Sequence, residues 1–418
     1  MDQSLFELLS AINRRGFRAF FVGGVVRDYL MFNTISNDID IATSAPSDLI
    51  CEIFAKYKPK KLKYDTVKFK YHKYNVDVAH FRNEYTDGNE VIIELTKEIK
   101  KDADRRDFTV NNVYMDKDGK IYVFNLLSKL DIKLKVIRFQ RRIDYSLSED
   151  PSRLLRYIYF TIKYNLEPVP SEIIYIKRYG SKHLKLIDVP TINKYLFKIL
   201  SDCNIDVFIQ FMRDNNMYNV LFNSPIDVPN ITKEGFFACS KYRYEKTLSK
   251  PLLKKVKRLR SIIASGEIRP EMIFHYGVNL CYDAAKIMGI SKKSVREIFD
   301  SMVIKKRKEL NISLEDIMNI TKKDKEYCTG IFNSLINLVL YKKLKNDYNI
   351  LIDYVKGGFI NDIKWIGFIQ KLCDKYLLFK NISKKWYFVI WVYITIIFFK
   401  SWKSKFYTFK DNSWNRIK

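Results

Sequence analysis

Cysteine and histidine are scarce in this sequence, and so are the signals that direct a chain out of the cell. The six cysteines (Cys51, Cys203, Cys239, Cys281, Cys328 and Cys373) form no CxxC pair, and the 418 residues include only four histidines. Those counts argue against a zinc site and suit a reducing cytosol. The opening residues, MDQSLFELL, have no basic n-region and no apolar h-region, so no signal peptide is expected. One apolar run stands out, WYFVIWVYITIIFF from Trp386 to Phe399, flanked by Lys384, Lys385 and Lys400. It is shorter than the roughly 17–25 residues a spanning helix needs. It therefore reads as a buried terminal helix, with no stable membrane association and a cytoplasmic location. No internal repeat is evident.

What the chain has in excess is positive charge. The formal net charge is +27, which points to a polyanionic partner, nucleic acid or an acidic membrane surface. The charge is unevenly spread. Residues 1–150 carry 26 Lys and Arg against 23 Asp and Glu, whereas residues 151–418 carry 48 against 24. A nearly neutral first third joined to a strongly basic remainder suits a catalytic head on a polyanion-binding body. A biased genome that inflates lysine everywhere accounts for part of the excess, but not for the head's escape from it. Length alone suggests about two to four domains.

Periodicity gives the order of elements. Leu5, Leu8, Leu9 and Ile12 mark an amphipathic helix that Gly16 ends. A strand over Arg18–Val22 turns through Gly23-Gly24 into a helix reaching Leu30, and a second strand covers Asp38–Thr43. Pro46 opens a helix to about Tyr57. Val67–Tyr71 and Val76–Phe81 form a hairpin around Lys73–Asn75. Further strands are expected at Val91–Leu95, Val113–Met115 and Ile121–Phe124. From Asp150 the pattern is helical. The fold class is α+β: a small mixed α/β head (1–145), then an all-helical neck (146–220) and an all-helical body and tail (221–418).

The most pointed local pattern is Asn37-Asp38-Ile39-Asp40-Ile41. Strand side chains alternate faces, so Asp38 and Asp40 project together while Ile39 and Ile41 enter the core. Two carboxylates so placed can hold a pair of Mg²⁺ ions about 4 Å apart, one activating an attacking hydroxyl and the other neutralising a leaving pyrophosphate. Alone, two aspartates at this spacing are weak evidence. Gly23-Gly24-Val25-Val26-Arg27-Asp28 lies upstream, where glycines between strand and helix let a triphosphate approach the free N–H groups of a helix N-terminus. Arg27 could add a charge-assisted contact. Read alone, that segment is first a tight turn with a surface arginine.

Order and spacing change the reading. GGVVRD, DIDIAT, DADRRDFTVNN (102–112) and EDPSRLLR (149–156) follow one another in the order and approximate spacing of class II tRNA nucleotidyltransferases. Over roughly residues 1–220 the chain resembles that family of bacterial CCA-adding enzymes and poly(A) polymerases. The resemblance implies that Gly24 and Arg27 contact nucleotide phosphate, that Asp38 and Asp40 are the catalytic metal ligands, and that Arg106 binds nucleotide. It further implies that Asp150 and Arg153 read the incoming base in place of a template. That role is physically coherent: a carboxylate accepts from the exocyclic amine that C and A share, a guanidinium donates to the neighbouring ring acceptor, and U and G present the opposite pattern. Arg156, one turn on, should face the same site. The implied activity is addition of CMP and AMP from CTP and ATP to the 3′ end of tRNA, with Mg²⁺ as cofactor.

Three departures from the family pattern stand out. Tyr159 occupies the place of a further arginine. The segment Tyr85-Thr86-Asp87-Gly88-Asn89-Glu90 is a short, acidic version of the loop that helps switch the family from C to A addition. Beyond about residue 220 the family pattern is no longer traceable. Asp77 stands where the family carries an acidic residue on the neighbouring strand, either as a third carboxylate near the metals or as a structural one. His72 and His80 read as ordinary strand residues. In the basic remainder, Lys241–Tyr244, Lys254–Arg260 and Lys305–Lys308 are candidates for phosphate contact along an A-form stem, recognised by shape, or else solvated faces. The competing activities are poly(A) synthesis or CC-only or A-only addition. A protein that binds RNA and has lost catalysis is the alternative of another class. Oligomeric state is not encoded legibly.

Overall fold

The computed structural model describes residues 2–87 and 90–357. The apolar run 386–399 lies outside the described residues. Among the described residues no helix is long and apolar enough to cross a membrane.

The first helix, α1 (Gln3–Asn13), is capped by the Asp2 side chain, which accepts from the Ser4 amide, and it buries Leu5, Leu8, Leu9 and Ile12. It covers β1 (Ala19–Val22), after which α2 (Gly24–Phe32) and β2 (Asp38–Thr43) follow as expected. Next come α3 (Ser47–Ile53), β3 (Lys60–Leu62), β4 (Thr66–Tyr71), β5 (Tyr74–His80), β6 (Arg82–Asp87), β7 (Glu90–Leu95), α4 (Ile99–Asp104), β8 (Val113–Met115) and β9 (Ile121–Val123). Seven strands form one sheet in the order β3-β4-β5-β2-β1-β8-β9. Within it β2 and β5 run parallel and every other pair is antiparallel. The parallel pair matters most, because its register sets Asp38 opposite Asn75 and Asp40 opposite Asp77.

Three local expectations are corrected. His72 sits in the hairpin turn at φ +51°, not in a strand. β3 carries no alternating pattern and is missing from the sequence reading. The segment expected as a loop at 85–90 has its flanks paired as strands, with Asp87 opposite Glu90 in the β6–β7 hairpin.

The chain leaves the sheet through α5 (Leu127–Leu134), β10 (Val136–Ile137), α6 (Ile143–Glu149) and α7 (Arg153–Lys163). β11 (Glu167–Pro168) pairs with β10, and α8 (Pro170–Leu184) and α9 (Val189–Asp202) follow. One face of α7 is apolar, burying Leu154, Leu155, Tyr157, Ile158 and Tyr159. An aromatic seam locks it to the sheet domain: Phe139 stacks on Tyr157 at 5.2 Å, Phe160 meets Phe108 edge-on at 5.7 Å, and Phe32 stacks on Tyr164 at 5.7 Å. Rings of this size dominate core energetics, and truncating a buried phenylalanine costs about 3–5 kcal/mol.

Helices then continue, among them Ile205–Asp214, Lys233–Ser240, Lys250–Ser265 and Val278–Ile287. The chain divides into two compact units between Glu297 and Ile298. The second, in its described part, contains Leu314–Thr321, Lys325–Leu340 and Tyr348–Gly357. Of the basic clusters, Lys241, Arg243, Lys254, Lys255, Lys257 and Lys305–Lys308 are exposed. Arg243 and the half-buried Arg260 also donate to main-chain carbonyls, and Tyr242 is buried.

Candidate active site

A cavity of about 580 Å³ opens where the C-terminal end of β1, the N-terminus of α2 and the polar face of α7 meet. Gly23 makes the turn, at φ +64° and ψ −126°, a conformation that L side chains rarely adopt. A Cβ there would come within 3.4 Å of Arg106 Nη1, and one on Gly24 within 3.6 Å of Arg27 Nη2. With no side chain capping it, the first turn of α2 leaves N–H groups facing the cavity, as an anion site requires.

Arg27 is not a surface residue; it is 3% exposed. Its guanidinium donates to Asp28 (2.8 Å), Asn111 (2.6 Å) and the Tyr164 hydroxyl (2.8 Å), and lies 4.2 Å from the Tyr164 ring centroid. It thereby ties α2 to the end of α7 while still lining the cavity.

Asp38 and Asp40 lie on the cavity side of β2, with Ile39 and Ile41 buried behind them. Asn75 donates to Asp38 Oδ1 at 2.9 Å. Asp77, on the adjacent strand and in register with Asp40, is ion-paired to Lys68 at 3.1 Å. Desolvation by the surrounding walls raises the Asp40 carboxyl above its ordinary value, repulsion from Asp77 and Asp38 adds to that, and Arg106 opposes it. A site that penalises accumulated carboxylate charge favours an incoming cation. Among the described residues no cluster of three or more metal-ligating side chains occurs. Two carboxylates with the remaining positions left to phosphate and water match the way Mg²⁺ is held in phosphoryl-transfer sites.

Arg106 is fixed from behind. Its Nε donates to the Tyr114 hydroxyl at 2.8 Å and its Nη2 to Asp102 Oδ2 at 3.0 Å, and Tyr114 itself donates to Asp102 at 2.8 Å. Asp102 is fully buried. Burial alone would raise its carboxyl, but Arg106 and Arg105 outweigh that and hold it at about 2. The outcome is a permanently charged arginine aimed along the glycine turn.

On the neck wall, Asp150 and Arg153 both line the cavity, joined by a backbone bond from the Arg153 amide to the Asp150 carbonyl, but their side chains are not partnered with each other. Asp150 Oδ2 accepts from Arg156 Nη2 at 2.6 Å. Arg153 donates to Glu149 at 2.9 Å and to the carbonyls of Ser146 (3.2 Å) and Arg105 (3.4 Å). Arg156 also pairs with Asp107 at 3.4 Å, and its buried Nε has no hydrogen-bond partner among the described residues.

Several lining residues had no local signal in the sequence. At Tyr159, which stands in the place of the family's further arginine, the hydroxyl donates to Asp202 at 2.8 Å and accepts from Lys163 at 2.7 Å, while the Lys198 ammonium lies 4.5 Å from the ring centroid. Lys163 is one turn farther along α7, a spacing that could have been read. Lys198 comes from α9, and only tertiary packing brings it here.

Comparison with known proteins agrees with this architecture. Residues 19–138 match the Poly A polymerase head domain. A CCA-adding enzyme of Staphylococcus haemolyticus is 27% identical over 388 residues, spanning 84% of this chain and 96% of that protein. One of Staphylococcus aureus is 30% identical over 228 residues, 53% of this chain and 56% of that protein. Among solved structures, the Bacillus stearothermophilus CCA-adding enzyme in complex with CTP superposes with a TM-score of 0.70 at 19% identity, over 87% of this chain and 98% of that one. Similarity thus runs well past residue 220, where the motifs cease to be traceable by eye. The four motifs in order, the head-domain match and the near end-to-end coverage of the Staphylococcus haemolyticus enzyme make the chain similar, in its head and well beyond it, to the class II nucleotidyltransferases that include CCA-adding enzymes and poly(A) polymerases.

Proposed function

We propose that this chain adds CMP and AMP from CTP and ATP to the 3′ end of tRNA. The 3′-hydroxyl of the RNA attacks the α-phosphate, a phosphodiester forms, and pyrophosphate leaves. The observation that carries the reading is convergence: the glycine turn, Asp38 and Asp40, Arg106, and the Asp150–Arg153–Arg156 face of the neck line one cavity. It is further supported by what the relatives are, CCA-adding enzymes, the Staphylococcus haemolyticus one matched over 96% of its length, and by a Thermotoga maritima CCA-adding enzyme complexed with tRNA that superposes with a TM-score of 0.61.

In this reading Gly24 and the first turn of α2 receive the phosphates, Arg106 adds fixed charge, and Arg27 braces the turn and offers its outer edge. Asp150 and Arg153 meet the edge of the base, and Arg156, on the same wall, contacts the nucleotide beside them. Enzymes of this family generally use divalent metals. Mg²⁺ held by Asp38 and Asp40 would supply Lewis-acid activation of the hydroxyl and shielding of the leaving group. Division of labour follows the charge: residues 1–145 as catalytic head, 146–220 as base-reading neck, and 221–418 as RNA-binding body, acting in the cytoplasm.

The short β6–β7 hairpin, in place of a longer loop, favours CC-only addition as the second reading. Purified protein, tRNA lacking its 3′ end, and labelled CTP or ATP supplied singly and together test both. Incorporation of two C and one A supports the first reading, and arrest after C supports the second.

A further inference from the structure

Eight cations line the active-site cavity, and seven are held in ion pairs with carboxylates of its wall or just behind it. Arg27 is paired with Asp28, Arg82 and Arg105 with Glu84, Arg106 with Asp102, Arg153 with Glu149, Arg156 with Asp150, and Lys163 with Asp202. Lys198 is the exception: among the described residues no carboxylate lies within ion-pair distance of it. Its neighbour Asp202 is taken up by the Tyr159 hydroxyl at 2.8 Å and by Lys163 at 3.3 Å. Desolvation, and then the charge of Lys163, hold the Lys198 ammonium below its ordinary value, with Lys194 and Arg27 contributing and Asp202 opposing. A cation kept in such company without a counter-ion is stabilised by an anionic ligand.

Position indicates which anion. From the glycine turn a strip of positive charge runs along the neck. Arg27 Nη2 lies next to Gly24, and its guanidinium covers the Tyr164 ring at 4.2 Å. Lys163 approaches the Tyr164 ring at 5.6 Å and the Tyr159 ring at 5.2 Å, and Lys198 stands over Tyr159 at 4.5 Å. The strip begins at the glycine turn and ends on α9, with all of its cations lining the same cavity.

We infer that Lys198, steered by Tyr159 and seconded by Lys163, seats the outer phosphates of the incoming nucleoside triphosphate. This rests on the nucleotidyltransfer reading above and adds to it a residue on α9 that recognises the triphosphate and not the base. Tyr159 acts as a positioning residue: its ring holds the ammonium, and its hydroxyl keeps Asp202 turned toward Lys163.

Binding of CTP, CDP and CMP to the full chain, measured by calorimetry with Mg²⁺ present, tests the inference without any RNA. Lys198→Gln should weaken CTP about tenfold, as expected for loss of one charge-assisted contact, while leaving CMP unchanged. Lys198→Arg should restore most of the difference. In turnover, KM for CTP and ATP should rise together, with the order of preference among bases and the KM for tRNA unaltered. Equal weakening of CTP and CMP would overturn the assignment. So would unchanged CTP affinity with a raised KM for tRNA, which would make the strip a seat for acceptor-strand phosphate. Because the binding measurement needs no acceptor, failure of the chain to extend tRNA is a separate result and leaves it interpretable.

Discussion

Arg156 Nη2 lies 2.6 Å from Asp150 Oδ2, so the carboxylate expected to work beside Arg153 is held by the arginine one turn farther along the neck. Arg153 is instead 8% exposed and bonded to Glu149 and to two main-chain carbonyls, one of them Arg105 of the head. It is a brace between neck and head as well as a candidate base reader, and the two roles predict a combined phenotype.

Arg153→Ala should therefore do two things. It strands buried acceptors, at a cost of about 1–3 kcal/mol, so the melting temperature falls. It also removes a donor from the base edge, worth about 1–3 kcal/mol of discrimination, so UTP and GTP begin to be incorporated. Side-by-side incorporation of the four nucleotides at a temperature where the variant is folded checks the second effect. A fall in all four with the order of preference unchanged leaves Arg153 only the brace.

Asp40→Ala should abolish incorporation of both CMP and AMP and leave tRNA affinity within about twofold, because the carboxylates lie on the sheet and the exposed cation clusters lie elsewhere in the chain. Filter binding of tRNA alongside the incorporation assay checks it.

Gly23→Ala should raise the KM for nucleotide with little change in tRNA binding. The backbone conformation at Gly23 is one that costs an L-residue about 1–3 kcal/mol, and relaxing it would shift the turn against Arg106, whose Nη1 lies 3.4 Å from the new Cβ.

Much of the sheet was legible because its strands alternate. In Asp38–Ile41 the period-two pattern fixes which face each aspartate takes, and the structure agrees over those four residues, while Ala42 and Thr43 beyond them are both buried. The parallel register that adds Asp77 beside Asp40 is a long-range pairing, which spacing could not supply. β6 escaped notice because Arg82–Asp87 is polar throughout, so its strand conformation comes from pairing with β7 and not from apolar alternation. In the neck, helical spacing correctly gathered Asp150, Arg153 and Arg156 on one wall. It could not say which arginine takes the carboxylate, a choice made by Glu149 and the Arg105 carbonyl. Lys198 was invisible because α9 is a separate helix whose packing on α7 alone brings it to Tyr159.

Glu172 gives a pH signature outside the active site. It is 8% exposed, and burial raises its carboxyl to about 7, against a bond from the Phe139 amide at 3.0 Å and attraction to Arg138. A raised acid binds a proton in the folded state that the unfolded chain has already released, so stability falls as pH rises from about 4.5 to 7 and then levels off. Glu172→Gln removes the penalty. Its melting temperature should match the parent near pH 4.5 and exceed it at pH 8, by the equivalent of up to about 3 kcal/mol. Thermal melts across that range check the sign.

The basic helix Lys250–Ser265 turns Lys254 and Lys257 outward. Reversing both charges to glutamate should weaken tRNA binding and reduce its salt dependence by about two units of log–log slope, with CTP binding unaltered. Titration at several salt concentrations measures the slope directly.

Template-independent completion of a tRNA end is read out by primer extension on tRNA lacking its last three nucleotides. CTP alone should give two additions and a stop; CTP and ATP together should give three, ending in A, and Asp40→Ala should give none. Runs of A from ATP alone, or no extension with any combination of nucleotides, would contradict it.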